Sequence, residues 1–512
     1  MKVFAAIDVG SYEIAMKIYE YSQRGGMKQI DHIRHRVELG TDTYATGKIS
    51  RERVDELCEV LSQFKDIMKA YRVDAYKACG TSAIRETENT VIVLEQIKLR
   101  TGLDVTVLSN SEQRFLHYKA VASRGEMFAE TIKNSSAIID IGGGSIQISL
   151  FDNEALVATQ NIRLGILRIK EMLLSLQART TNYEQLLSEL IDNQLDSFKS
   201  LYLSERDIKN IIVVDDYVSG VIKKINDGRD VISKKELKEI VEDFRGKSSE
   251  QIAKLLKIDE ESATLLPQSV VLLKKIVEMT GAKNIWAPGV SLADGIAYEY
   301  AEQNRLLKNK HDFEADITAG AEVMCRRYGG NIERNRLVWK VATDIFDYTK
   351  KLHGMGKREC LLLQVAAMLA DCGKYISLEA SAECGYDIIM ATEMIGLSHV
   401  EREIIANIVR FNKTHFRYYK EIAAASMMDS ETYLKVAKLT AIFRVADGIC
   451  RSSRVKVSDL KLNLKDDEFI ITIYSDEDFS LEKGFFKRKS DFFEEVFSIK
   501  PVLRAKKRVN TI

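Results

Sequence analysis

The chain has 512 residues, enough at roughly 100–200 residues per domain for three or four domains. Lys+Arg and Asp+Glu are both 75, which argues against a bulk nucleic-acid binder or a polybasic membrane protein. With 46% hydrophobic and 29% charged residues the composition is globular, and three prolines leave no room for a proline-rich linker.

Asp8 interrupts the apolar run of the N-terminus, so no secretory signal is expected there, and no run of about 18 apolar residues predicts a membrane span. The seven cysteines lack a CxxC pair and the seven histidines lack an HExxH pair. A reduced, cytoplasmic protein without a zinc site is expected.

In chain order, VFAAIDV, a GSY turn and EIAMKIYEY predict two strands, with Ile14, Met16 and Ile18 on one face. A helix capped by Ser50 is expected over 50–70, a strand over 74–80, a helix over 87–101, a strand over 104–109 and a helix over 111–132. The pattern then restarts in SSAIIDIGGGSIQISLFDN: an apolar strand ending in Asp, a glycine turn, Ser and an amphipathic strand. Residues 1–20 and 136–153 are two copies of one device, which points to two related lobes. Helices are expected over 176–202, 234–257 (two) and 268–280, with strands over 208–216 and 283–289. Alternating strands and helices place this part in the α/β class. From about residue 300 helical periodicity dominates, up to a short β-rich piece at 455–475 and a basic tail from Lys483.

A strand ending in Asp and followed by glycines suits phosphate chemistry. Glycines let the backbone approach a phosphate and turn successive N–H groups towards it. The aspartates, Asp8 and Asp140, can hold a hydrated Mg²⁺ that neutralises phosphate oxygens. Two such turns facing each other would clamp a phosphoanhydride; two ordinary hairpin turns are the plainer alternative.

The motifs DVGS (8–11), GTSAIRET (80–87), LSNSEQR (108–114), DIGGGSIQISLF (140–151) and IRLGILRI (162–169), in that order, resemble the Ppx/GppA family of exopolyphosphatases and guanosine pentaphosphate phosphohydrolases. GVSLADGIAYEY (289–300) resembles its closing helix, and LLLQVAAMLADCGKYIS onwards resembles the C-terminal domain of longer members. The resemblance implies an actin-like ATPase (ASKHA) fold in two α/β lobes, 1–130 and 131–305, then a degenerate HD-like helical domain, 306–455, and a small α+β region, 456–512. It implies Mg²⁺-dependent removal of terminal phosphates from polyphosphate or pppGpp. It also implies phosphate contacts from Gly10, Ser11, Arg85, Gly142, Gly143, Gly144 and Ser145, with Mg²⁺ on Asp8 and Asp140.

Several positions depart from the family pattern. Where active members carry the second Glu of S-G-x-E-E-A-R, the base that activates water, this chain has Gln113, preceded by Glu112. The Glu of D-x-G-G-G-S-x-E is Gln147, the Asn of D-x-G-S-N is Tyr12, and a later glycine pair is Asp215–Asp216. A carboxamide orients water but takes no proton near neutral pH. In the HD-like domain the metal-binding positions read Asn335, Ala370–Asp371, Cys384 and Phe411–Asn412, leaving Asp371 and Asp447 as candidate ligands. His117 is expected to be an ordinary surface or core residue, and the tail from Lys483 a solvated basic segment with a packed phenylalanine face, or part of a cationic passage for polyphosphate.

The leading expectation is a polyphosphate or guanosine-polyphosphate cleft whose hydrolysis is weak or lost, compatible with a homodimer and without membrane or specific nucleic-acid partners. Two alternatives stand beside it. One is an active Mg²⁺-dependent hydrolase that uses Glu112 or substrate phosphate as base. The other is a scaffold that binds neither ligand.

Overall fold

The computed structural model describes residues 2–22, 26–177, 183–204, 206–214, 216–258, 260–307, 311–423, 428–451, 457, 459–465, 467–475 and 477–506. The chain divides into two compact units, Met1–Asp312 and Phe313–Ile512.

The first unit holds two sheets. The first contains β1 (Lys2–Val9), β2 (Glu13–Ser22), β3 (Gly26–Arg36), β4 (Ala75–Gly80) and β5 (Val105–Val107), in the order β3-β2-β1-β4-β5. The second contains β6 (Ser136–Ile141), β7 (Ile146–Asp152), β8 (Ala155–Ile162), β9 (Asn210–Val214), β10 (Val231–Ser233) and β11 (Asn284–Trp286), in the order β10-β11-β9-β6-β7-β8. Read from the meander edge, each lobe repeats one plan. Three antiparallel strands are followed by two parallel partners, β1 against β4 and β6 against β9. This is the duplication expected from the two Asp–Gly turns, and it places both turns at corresponding strand ends.

Binary pattern explains most elements. Ile14, Met16 and Ile18 enter the apolar core of the first lobe together with Val54, Leu57, Leu61 and Phe64 of the helix Arg51–Ala70, whose N-cap is Ser50. Ile146, Ile148 and Leu150 of β7 enter the second core with Ala137, Ile139 and Ile141 of β6. Gln147 and Asp140 therefore share the opposite face, paired across the strands. The helix expected over 111–132 is broken: Asn110–Ala122 and Glu126–Ile132 flank Gly125, whose φ of 66° is left-handed. Part of the segment 176–202, residues 178–182, lies outside the described residues; beyond it the chain forms a helix over Tyr183–Phe198.

Between Phe313 and Ile449 the described residues of the second unit carry helices without strands, and beyond them lies a three-stranded sheet of β12 (Asp459–Lys465), β13 (Glu468–Tyr474) and β14 (Lys500–Lys506). The expected solvated tail is instead folded. Residues Ser480–Phe497 form a helix that buries Phe486, Phe492 and Phe493 in the core of the unit, and β14 pairs with β13. Its phenylalanine face is packed as the sequence suggests; Lys483, Lys487 and Arg488 are exposed, while Lys489 turns inward to Asp447. Among the described residues no helix is long and apolar enough to cross a membrane.

Candidate functional site

The two glycine turns meet. Gly10 ends β1 and donates its amide to Glu13 O at 3.1 Å, turning the chain so that Ser11 points inward. Ser11 Oγ, Tyr44 Oη and Ser82 Oγ form a triangle of hydrogen bonds at 2.8, 2.9 and 3.0 Å, and the Ala83 amide donates to Ser11 Oγ at 3.2 Å. The turn of the second lobe lies directly on this triangle. A Cβ on Gly144 would stand 2.0 Å from Tyr44 Oη and 2.8 Å from Ser82 Oγ, and one on Gly143 would stand 3.1 Å from Ser11 Cβ. Position 144 admits no side chain unless Tyr44 moves, and position 143 admits one only where its neighbours give way by a few tenths of an ångström.

The carbonyls of the second turn are committed. Gly142 O accepts from Ile166 N, and Gly143 O from Leu167 N and Arg168 N, at 3.1, 2.9 and 3.2 Å. Gly144 O accepts from Arg168 Nε at 3.0 Å. The start of the helix Ile166–Gln177 thus holds the turn by its oxygens. On the nitrogen side, the amides of Gly143, Gly144 and Ser145 donate to no described acceptor. A row of such N–H groups is an anion nest. Arg168 spans the gap, with Nη2 2.7 Å from Glu86 Oε2 and its guanidinium 4.4 Å from the Tyr44 ring. Burial pushes the Tyr44 phenol up from its usual range, against the lowering effect of the two serine hydroxyls.

A second cluster surrounds the helix Asn110–Ala122. Arg85 Nη1 donates to Leu108 O at 2.6 Å and to Gln113 Oε1 at 3.4 Å. One turn further along, His117 Nδ1 is 2.8 Å from Asp140 Oδ2, both side chains being buried. The helix therefore acts as a ruler between Arg85 in the first lobe and Asp140 in the second. Gln147, the cross-strand partner of Asp140, is 2 % exposed, and neither Nε2 nor Oε1 hydrogen-bonds to a described residue.

Other sequence-predicted residues occupy different surroundings. Glu112 closes a capping box: its Oε2 accepts from Ser109 N at 2.9 Å while Ser109 Oγ accepts from Glu112 N at 3.3 Å. That duty uses the carboxylate as a helix cap. Asp8 is half-buried at the end of β1, with Oδ1 3.9 Å from where a Gly10 Cβ would lie. Asp215 lies outside the described residues, and Asp216 begins the helix Asp216–Ile225. Tyr12, at the family's Asn position, is 8 % exposed and joins the apolar core of the second lobe. In the second unit Asn335 is fully buried and donates to Met368 O at 2.9 Å, Phe411 is buried and Cys384 is half-buried.

Tyr44, Ser82 and Arg168 were not among the expected site residues. Ser82 and Arg168 lie inside the motifs GTSAIRET and IRLGILRI, so their segments carried the signal; Tyr44 lies in no motif. His117 is a buried core residue, one of the two settings expected for it, and its Nδ1 faces the aspartate of the second turn.

The profile of the Ppx/GppA phosphatase family matches residues 18–304, and that of Ppx/GppA phosphatase domain III matches residues 318–488. The chain belongs to the Ppx/GppA family. It is 21% identical over 449 residues to the guanosine-5'-triphosphate,3'-diphosphate pyrophosphatase of Vibrio atlanticus, covering 86% of each chain. It is 26% identical over 163 residues to exopolyphosphatase 1 of Mycobacterium tuberculosis, covering 32% of this chain and 46% of that one. A crystal structure of an exopolyphosphatase from Cytophaga hutchinsonii superposes with a TM-score of 0.52 at 17% identity, over 59% of this chain and 98% of the other. This Ppx/GppA protein thus has the two-lobed actin-like ATPase fold expected from its motifs, followed by a helical region and a C-terminal sheet.

Proposed function

We propose that this Ppx/GppA protein binds a phosphate chain, polyphosphate or a guanosine polyphosphate, between its two glycine turns, and hydrolyses it far more slowly than a member with glutamates at positions 113 and 147. The observation that carries the proposal is the meeting of the turns. The amides of 143–145 donate to no described acceptor, while Ser11 and Ser82 stand against the same loop. Relatives named for guanosine-5'-triphosphate,3'-diphosphate and for polyphosphate support these two ligand classes.

Binding and chemistry separate at the residue level. Backbone N–H groups and Arg85 hold charge on phosphate oxygens and need no proton transfer. The attacking water needs a base, and Gln113, already bonded to Arg85, can only orient it. Loss of a general base costs on the order of 10²–10⁴ in rate. A Mg²⁺ shared with a phosphate takes one or two carboxylates and completes its shell with water and phosphate oxygens, and Asp8 and Asp140 stand at corresponding ends of β1 and β6. Asp8 and Asp140 would hold it, and it would supply neutralisation of phosphate charge; Gln147 adds no charge to that set.

The test measures Mg²⁺-dependent phosphate release from long-chain polyphosphate and from pppGpp, with calorimetric binding of both. Expected is binding of at least one ligand by the native chain, and a rate roughly tenfold or more higher in the Gln113→Glu/Gln147→Glu variant. Native turnover equal to that of the variant would overturn the slow-hydrolysis claim. Absence of binding to either ligand would overturn the cleft and leave a scaffold.

A further inference from the structure

The second unit carries a cluster of charge that the cleft does not use. Its centre is the pair Asp371 and Asp447. Arg334 bridges them, with Nη2 2.6 Å from Asp447 Oδ1 and Nη1 3.5 Å from Asp371 Oδ2. Lys489, from the helix Ser480–Phe497, places Nζ 3.0 Å from Asp447 Oδ2, 2.7 Å from Asn412 O and 3.1 Å from Asn412 Oδ1. Lys374 Nζ is 2.8 Å from Asp371 Oδ1, and Lys413 Nζ is 3.6 Å from that same oxygen. Four cations thus surround two carboxylates whose side chains are only 12% and 13% exposed. The chain's own guanidinium and ammonium groups neutralise these two carboxylates, with positive charge left over.

The four cations differ in spare capacity. An ammonium has three donors, and Lys489 spends all three on acceptors within 3.1 Å. Arg334 is held between both aspartates. Lys374 is half exposed with a single carboxylate oxygen. Lys413 has no hydrogen-bond acceptor among the described residues, and the Asp371 oxygen 3.6 Å from it is already taken by Lys374. Unmatched charge in a partly desolvated place is costly until a counter-charge arrives.

We propose that Lys374 and Lys413 form a second anion site that takes a phosphoryl group, one multiply charged anion bridging the two ammonium groups beside Asp371. It shares no residue with the cleft. Two excess charges favour a pyrophosphate-type group over a monoanion. Tyr375, next to Lys374 in sequence, packs T-shaped against Tyr328 with ring centroids 5.8 Å apart and, at 64% exposed, offers ring surface to a nucleobase.

The test is calorimetric titration of the full chain with inorganic pyrophosphate and, separately, with GDP, in the native protein, Lys374→Ala/Lys413→Ala and Arg85→Ala. Expected is a binding event that survives in Arg85→Ala and weakens roughly tenfold or more in the double variant. Loss of that event only in Arg85→Ala, or unchanged affinity in the double variant, would overturn the site while leaving the cleft standing. Amine labelling of the native chain provides a second readout. Pyrophosphate is expected to shield Lys374 and Lys413 several-fold relative to other surface lysines, and absence of shielding counts against the proposal. GDP binding more tightly than pyrophosphate assigns the group to a nucleotide; the reverse assigns it to an inorganic chain.

Discussion

Tyr44 sets how near the two turns come, because its hydroxyl occupies the space above Gly144. A Gly144→Ala substitution pushes a methyl group to 2.0 Å from Oη, and the Tyr44 Cζ at 2.7 Å blocks the obvious retreat. The tyrosine must leave its two serine partners or the turn must unseat from Arg168. Either adjustment resembles overpacking, so the expected loss is about 1–3 kcal/mol, read from denaturant midpoints, with phosphate-chain binding weakened in parallel. Tyr44→Phe/Gly144→Ala removes the colliding hydroxyl and is expected to recover part of the loss; no recovery would show that the ring, and not its oxygen, sets the spacing. Glu112, which the sequence offers as an alternative base, is instead used as a helix cap. Ser109 followed three residues later by Glu is the pattern of a capping box, and the structure uses it so.

At the scale of elements, the closing helix Leu292–Gln303 is pinned to β2 through Lys17 Nζ, 2.7 Å from Asp294 Oδ2, in a place where both are buried. Tyr19 Oη and Ser291 N also donate to this carboxylate. Lys17→Met strands the aspartate and is expected to cost about 3–5 kcal/mol, whereas Lys17→Met/Asp294→Leu is expected to return close to native stability. Equal losses in the two variants would mean that the pair contributes through shape alone. The paired Asp–Gly turns and the helix capped by Ser50 were legible because each is a local pattern. The strand β3 was not, since GMKQIDHIRHR is a polar, largely solvent-facing edge with no alternation to read. Gly125 gives no stop signal inside a helical pattern, because a single glycine breaks a helix only where the chain must turn left-handed. The basic charge between Lys483 and Arg488 concealed a packed helix, whose phenylalanines recur at helical spacing. Contacts such as His117 with Asp140 or Tyr44 with Gly144 join distant segments, and no local pattern encodes them.

For the whole molecule, acid should act through buried carboxylates. Burial alone would raise Asp294, Glu299 and Glu401; Lys17 overrides this for the first, Lys77 and Lys119 for the second, and Arg358 for the third, so all three lie below their ordinary values. A depressed folded value gives stability that is fully present above the unfolded value, near 4, and is lost as pH falls through the folded one. The urea midpoint is therefore expected to hold between about pH 7 and 5 and to drop steadily below about 4. A midpoint independent of acid would remove these pairs as stabilising elements. Tyr12 has a kinetic consequence. Its ring belongs to the first lobe by sequence and to the second lobe's core by position. Spreading the lobes must draw out an aromatic side chain of the kind that buries roughly 150–250 Å². Such a latch makes gaping infrequent, so a captured phosphate chain should come and go slowly, with long residence even where its affinity is modest.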